Sequence, residues 1–168
     1  MTPEVYWIRD IEPLKLAIMA RPRGGEWLEE EVLGWKRLGI GTVASLLHKY
    51  EADELNISEE ASLCAVNGID FRSFPIKDRG VPEPVSSFFE FADQMTSRVR
   101  EGVAVAVHCR AGIGRSGLTV GSVLVRLGVP ARDVFPLVSK ARGLVVPDTP
   151  EQIKWFHSVG TRGIGIAL

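Results

Sequence analysis

The segment Val103–Gly117, VAVAVHCRAGIGRSG, constrains this chain more than any other: an apolar β-branched run enters a glycine-rich loop, and a helix-compatible run, SGLTVGSVLVRLG, leaves it. A short apolar run of this kind reads as a strand buried on both faces. Strand, tight loop and helix in one frame form the unit from which a parallel sheet covered by helices is built. Cys109 and Arg115 lie in the loop with five residues between them. Wrapped around a tetrahedral dianion, such a loop can turn successive backbone N–H groups inward. The helix that follows adds unpaired N–H groups and the positive end of its dipole. Gly112, Gly114 and Gly117 permit backbone angles and close approaches that side chains would block. Arg115 supplies a planar fork of donors that grips two phosphate oxygens at once, which lysine cannot match. The same positive potential acts on the sulfur. A thiol so placed titrates at roughly 3.5–7.5 instead of about 8.5, so Cys109 is expected to be an ionised nucleophile. The segment therefore reads as a phosphate cradle made by Arg110, Ala111, Gly112, Ile113, Gly114 and Arg115, with Cys109 at its base. The bland alternative is a cysteine that merely fills core space. A Walker-type loop is excluded, because no Lys-Ser or Lys-Thr pair follows the glycines.

HCRAGIGRS also resembles the signature loop of the cysteine-dependent protein phosphatases, H-C-x-x-G-x-x-R-S/T. The chain is too short for the larger tyrosine-specific domains and is similar to the small, atypical dual-specificity phosphatases. From about Ile40 onward the resemblance takes in VASLL, GIDFRSFPIKDRGVPEP, the signature loop and DTPEQIKWF. It implies a protein-tyrosine-phosphatase-like fold and hydrolysis of phosphotyrosine, with phosphoserine and phosphothreonine as further substrates, through a cysteinyl-phosphate intermediate. It also implies that His108 orients the loop by hydrogen bonding. Adjacent strand residues face opposite ways, which disfavours His108 as a base for Cys109. Gln152 resembles a glutamine that positions the hydrolytic water in some members. The competing reading is a polar residue in the first turn of an amphipathic helix.

A phosphate ester with a poor leaving group needs its departing oxygen protonated. Asp78 is the best candidate for that acid. It follows a predicted strand in KDRGVPEP, where Gly80 allows movement while Pro82 and Pro84 stiffen the remainder. Phosphatases of the resembling family carry their acid on such a loop, a few tens of residues before the cysteine. Asp148 is the closest competitor; Asp70 at a strand start and Asp93 within a helix are less free to approach a leaving group. The implied reaction is a double displacement in which Asp78 serves first as acid and then as base. Ser116 follows the arginine and is placed to donate a hydrogen bond to the sulfur; it also reads as an ordinary helix N-cap, and the two roles can coexist. Cys64, among Leu63, Ala65 and Val66, reads as a buried structural thiol in preference to a resolving partner of Cys109.

The rest of the chain supports an α/β fold, a central and mostly parallel sheet flanked by helices, with the phosphate loop between a buried strand and a helix. Strands are predicted at VYWI, LKLAIMA, GTVASLL and IDFRSFPI. Helices are predicted at EWLEEEVLGWKRLG, ELNISEEASLCAVNG, PVSSFFEFADQMTSRVREG, PARDVFPLVSKARG and TPEQIKWFHSVG. With 168 residues and no visible linker or repeat, residues 1–168 are expected to form a single catalytic domain. A formal net charge of −1 gives no general attraction to nucleic acid or membrane. MTPEVYWIRD lacks the basic start and apolar run of a signal peptide, and no stretch is apolar enough to span a bilayer. Two cysteines suit a reducing cytoplasm. The three histidines, at 48, 108 and 157, show no ligand spacing, so the scheme calls for no metal or cofactor.

The expected partner is a phosphorylated protein or peptide. The loop interior has Arg110 but no lysine, whereas members acting on phosphoinositides tend to be more basic there. Arg21 and Arg23 could line the pocket rim or merely solubilise a helix entry, and Lys77, Arg79 and Arg142 are equally open. The alternatives are a phosphatase for small or lipid esters, such as inositol phosphates or RNA 5′ ends, and a non-catalytic phosphate-binding module. A sulfur transferase fits less well, because an arginine in the sixth place followed by serine suits phosphate better.

Overall fold

Residue parity along the central strand sets the layers of the molecule. In β5 (Ala104–His108) every residue is buried, and successive side chains of a strand point to opposite faces. Val105 and Val107 join the larger core cluster with Phe88, Met95, Leu118 and Val134, while Ala106 joins a smaller one with Val32, Trp35 and Cys64. His108 shares the parity of Ala106.

This is a computed structural model describing residues 2–162. The other strands are β1 (Tyr6–Trp7), β2 (Leu16–Met19), β3 (Ile40–Ser45) and β4 (Asp70–Ser73). They form one sheet in the order β1-β2-β5-β3-β4. β1 runs antiparallel to β2 at one edge, and every other pairing is parallel. Seven α-helices are described: α1 (Leu28–Arg37), α2 (Lys49–Glu54), α3 (Glu60–Val66), α4 (Val85–Arg100), α5 (Gly114–Arg126), α6 (Ala131–Arg142) and α7 (Pro150–Trp155). The apolar stripes of α4, α5 and α6 cover the Val105 face, and α1 and α3 cover the Ala106 face. The architecture is thus the mostly parallel, helix-covered sheet that the sequence predicts. Among the described residues no helix is long and apolar enough to cross a membrane.

Two local differences bear on the site. The helix predicted over ELNISEEASLCAVNG starts late, at Glu60, because Asn56 takes a left-handed φ of 55° that ends the preceding turn. Before that break lies α2, a helix that the sequence pattern does not announce. The second difference is at α5, which starts at Gly114 with Ile113 as its N-cap and no capping side chain. Ser116 therefore lies inside the first turn, and its reading as a helix cap is overturned.

Candidate active site

Parallel strands bring their carboxyl ends to one edge of a sheet, where open α/β sheets bind ligands. The loop after β5 lines a cleft of about 220 Å³ there. Cys109, Arg110, Ala111, Ile113, Gly114 and Arg115 form its floor and wall, and Asp78, Arg79, Asp148 and Gln152 face them from two other segments. Cys109 is buried.

The loop owes its shape to ties on its outer side. The carbonyl of Cys109 is 3.0 Å from His108 Nδ1, and that of Arg110 accepts from the Arg21 backbone N–H at 3.1 Å. The carbonyls of Ala111 and Gly112 accept from Nη2 and Nε of Arg142, both at 3.0 Å. Four consecutive carbonyls are thus held outward. In a planar trans peptide the N–H points opposite to the C=O, so the amides of residues 110–113 are turned the other way, as an anion nest requires. Gly112 has φ +70°, and a Cβ there would meet the Met19 carbonyl oxygen at 2.4 Å, so only glycine passes that point unstrained. Arg142 does not line the cleft. It lies over the Tyr6 ring, 4.4 Å from its centroid, and works from behind.

Arg115 is 2% exposed and fully engaged along one edge. Its Nη1 donates to Glu51 Oε2 and to the Ile76 carbonyl, each at 2.9 Å. Its Nη2 donates to Glu51 Oε1 and Asp78 Oδ1, each at 3.0 Å. Burial pushes the Glu51 carboxyl up, but Arg115, the His48 amide and Arg110 outweigh it and hold the group below the usual carboxylate range. Sequence reasoning missed Glu51. A buried arginine signals that some carboxylate must meet it, yet nothing in the sequence says which.

Asp78 sits at the mouth with its side chain 55% exposed. Its loop is fastened to α7: Gln152 Nε2 donates to the Gly80 carbonyl at 2.9 Å, and Arg79 pairs with Asp148 at 3.3 Å. Gln152 Oε1 accepts from the Asp148 and Thr149 amides, so the oxygen and one of the two amide protons of the carboxamide are in use. Arg110 is turned toward α2, 3.4 Å from Glu54 and 3.6 Å from Glu51. Ser116 Oγ is buried and has no hydrogen-bond partner among the described residues.

Behind the loop, His108 Nε2 lies 2.6 Å from Glu60 Oε2, and the ring stacks on Trp35. Burial lowers the imidazole, but Glu60, with the Cys109 carbonyl and sulfur, raises it above the ordinary histidine value. Cys64 is buried, and its thiol is pushed up to about 12 by burial and by Glu60. Arg21 and Arg23 line a separate cavity, where Arg23 pairs with Glu31 at 2.9 Å. Lys77 is exposed and outside the cleft.

Residues 17–129 match a family model described as "Polymorphic toxin system, DSP-PTPase phosphatase". The tyrosine-protein phosphatase CDC14 homolog of Schizosaccharomyces pombe is 41% identical over 92 residues, which make up 54% of this chain and 16% of that protein. Protein tyrosine phosphatase PRL-1 of Leishmania major is 32% identical over 114 residues, 63% of this chain and 64% of that one. The matched region thus spans less than two thirds of either relative. Among solved structures, Tk-PTP in its active form superposes with a TM-score of 0.78 at 25% identity, covering 96% of this chain and 99% of that one.

Proposed function

The chain belongs to the DSP-PTPase phosphatases described from polymorphic toxin systems, and from that premise we propose that it hydrolyses phosphate monoesters on proteins, phosphotyrosine and also phosphoserine or phosphothreonine, through a cysteinyl-phosphate intermediate. One observation carries the reading: Cys109, Arg115 and Asp78 meet in one small cleft lined by a loop whose four carbonyls at 109–112 are tied away from it.

In the first step the Cys109 sulfur attacks phosphorus in line. The P–S bond forms, the P–O bond to the leaving group breaks, and the departing oxygen takes the Asp78 proton. Charge on the equatorial oxygens is met by loop amides and by the Arg115 guanidinium, which are already oriented when the ester arrives. In the second step water attacks phosphorus and gives its proton to Asp78, and the P–S bond breaks to return the thiolate. The unpartnered Ser116 hydroxyl is available to that sulfur. Entry of the ester must first part Asp78 from Arg115, since both the carboxylate and a phosphate oxygen want the same Nη2. The Gln152 carboxamide faces the cleft, and its role as the holder of the hydrolytic water belongs to this proposal as well.

Protein monoesters are favoured over multiply phosphorylated lipids by the state of Arg110. Its guanidinium is drawn toward Glu54 and Glu51 on α2, so it is aimed away from the cleft floor, and the loop interior offers no lysine for a second phosphate. A thiolate nucleophile survives in a reducing compartment, which supports a cytoplasmic site of action. The test is a panel of phosphotyrosyl, phosphoseryl and phosphothreonyl peptides, inositol phosphates and RNA 5′ ends, with Cys109→Ser as control. Turnover of the peptides by the wild type is expected, with loss to background and retained phosphate binding in the variant. Hydrolysis confined to inositol phosphates or RNA ends would overturn the substrate class, and wild-type turnover by Cys109→Ser would overturn the covalent route.

A further inference from the structure

Behind the phosphate loop is a pair of buried titratable groups that the double displacement does not use. His108 is completely buried, and Glu60 on α3 is 3% exposed. A carboxylate is rarely taken so far from water unless something holds it. Here its Oε2 lies 2.6 Å from the imidazole Nε2, the other ring nitrogen is 3.0 Å from the Cys109 carbonyl oxygen, and the Trp35 ring closes the stack. The chain of contacts runs from α3 through the last residue of β5 to the peptide group of the nucleophile itself.

We propose that Glu60 is a positioning residue for the Cys109 nucleophile, acting through His108 to fix the Cys109 carbonyl and so the direction in which the sulfur is presented. This rests on the phosphatase reading above and deepens it.

The hydrogen-bond chemistry leaves little freedom. A carbonyl oxygen only accepts, so Nδ1 carries a proton. A carboxylate also only accepts, so with the charge on Glu60, Nε2 carries one as well and the ring is an imidazolium held at both ends, in line with the upward shift of the imidazole. Of the four outward ties on the loop, two come from Arg142 and one from a backbone amide, which keep their protons at any working pH. The fourth alone depends on a titratable ring. The titratable groups set against that ring are Glu60 from α3 and the Cys109 sulfur on its own loop; α1 contributes the uncharged Trp35, and the Cys64 thiol of α3 is held neutral. An imidazolium beside the loop also adds positive potential at the sulfur, and the paired carboxylate sits on the far side of the ring. Glu60 therefore supports both the geometry and the charge of the nucleophile without touching substrate.

Glu60→Gln keeps the shape and removes the charge. The experiment has three readouts: the 15N shifts of the His108 ring against pH, the rate of Cys109 alkylation by iodoacetamide at pH 6, and kcat/KM on a phosphotyrosyl peptide. The wild-type ring is expected to keep both protons to a higher pH than the ring of Glu60→Gln, which loses its second proton earlier in the titration. Alkylation and kcat/KM are each expected to fall about tenfold in the variant, the change that about 1.4 kcal/mol represents. In a His108→Gln background the same substitution is expected to add nothing to either loss, because its effect runs through the ring. A wild-type ring already singly protonated at pH 6, alkylation and turnover within about twofold of wild type, or full additivity with His108→Gln would each overturn the proposal. If Glu60→Gln does not fold, the wild-type ring decides alone. The ring and the alkylation rate are read without turnover. A chain that hydrolyses no ester therefore sinks the phosphatase reading, while those two readouts still decide the role of Glu60.

Discussion

The floor of the cleft and its mouth are built from the same kinds of residue, arginines facing carboxylates, yet they differ in burial. On the floor, Arg115 and Glu51 are 2% and 1% exposed and joined by two parallel hydrogen bonds, and His108 meets Glu60 in a fully enclosed contact. At the mouth, Asp78, Arg79 and Asp148 keep much of their side chains in water. A buried pair leaves an uncompensated charge if one member goes, whereas an exposed pair exchanges each lost contact for solvent. The difference teaches a division of labour. The floor is set before substrate arrives, which is what electrostatic preorganisation requires. The mouth is a set of weak ties that an incoming ester can displace.

The largest expected effect breaks the floor. Glu51→Ala strands the Arg115 guanidinium in the core and is expected to cost about 3–5 kcal/mol of stability, the range for removing one partner of a buried pair. Denaturant unfolding measures it. The same pair predicts an acid limb. Because the folded Glu51 carboxyl lies below its unfolded value of about 4.3, its contribution is present above that pH and is lost as pH falls through the folded value. The wild type is therefore expected to lose stability below about pH 4 more steeply than the variant. A loss under about 1 kcal/mol would show that floor and mouth do not differ.

The second effect belongs to the mouth and concerns chemistry more than stability. Asp78→Asn keeps a hydrogen-bonding group near Arg115 but removes the proton donor. It is expected to slow alkyl phosphates, whose leaving groups are poor, by about 10²-fold, while aryl phosphates with good leaving groups change far less. Equal losses on both ester classes would take Asp78 out of the acid role and bring Asp148, in the same cleft, forward. The melting temperature is expected to move little, since the tie it weakens is half in water.

The sequence made the floor only half legible, for a physical reason. Cys109, Arg115 and Ser116 could be singled out as candidates because their chemistry is written consecutively in a strand, loop and helix frame. The parallel sheet was legible for the same reason, since buried strands and amphipathic helices announce themselves by local periodicity. Glu51 and Glu60 were not, because their partners lie 64 and 48 residues away along the chain. Their segment, HKYEADELNISEE, reads as polar surface. Only the left-handed turn at Asn56, which separates two short helices, sets the register that buries one carboxylate from each. Arg142 was ambiguous for a similar reason: a cation in the last turn of a helix suits the dipole whatever else it does, and its bonds to the Ala111 and Gly112 carbonyls exist only once α6 is packed.

The smallest expected effect sharpens the comparison. Arg79 and Asp148 join the acid loop to the start of α7 across 3.3 Å, with side chains 65% and 38% exposed. Such a pair is worth at most about 1 kcal/mol and is screened by salt. The Gln152 bond to Gly80 remains in its absence. Arg79→Ala is therefore expected to leave the melting temperature nearly unchanged and to alter kcat/KM on peptides by no more than about threefold, a difference that should vanish in about 0.5 M NaCl. Steady-state kinetics at low and high salt measure it. A salt-independent loss approaching that of Asp78→Asn would mean that the acid loop is held as rigidly as the floor, and the mouth would have to be counted among the preorganised parts of the site.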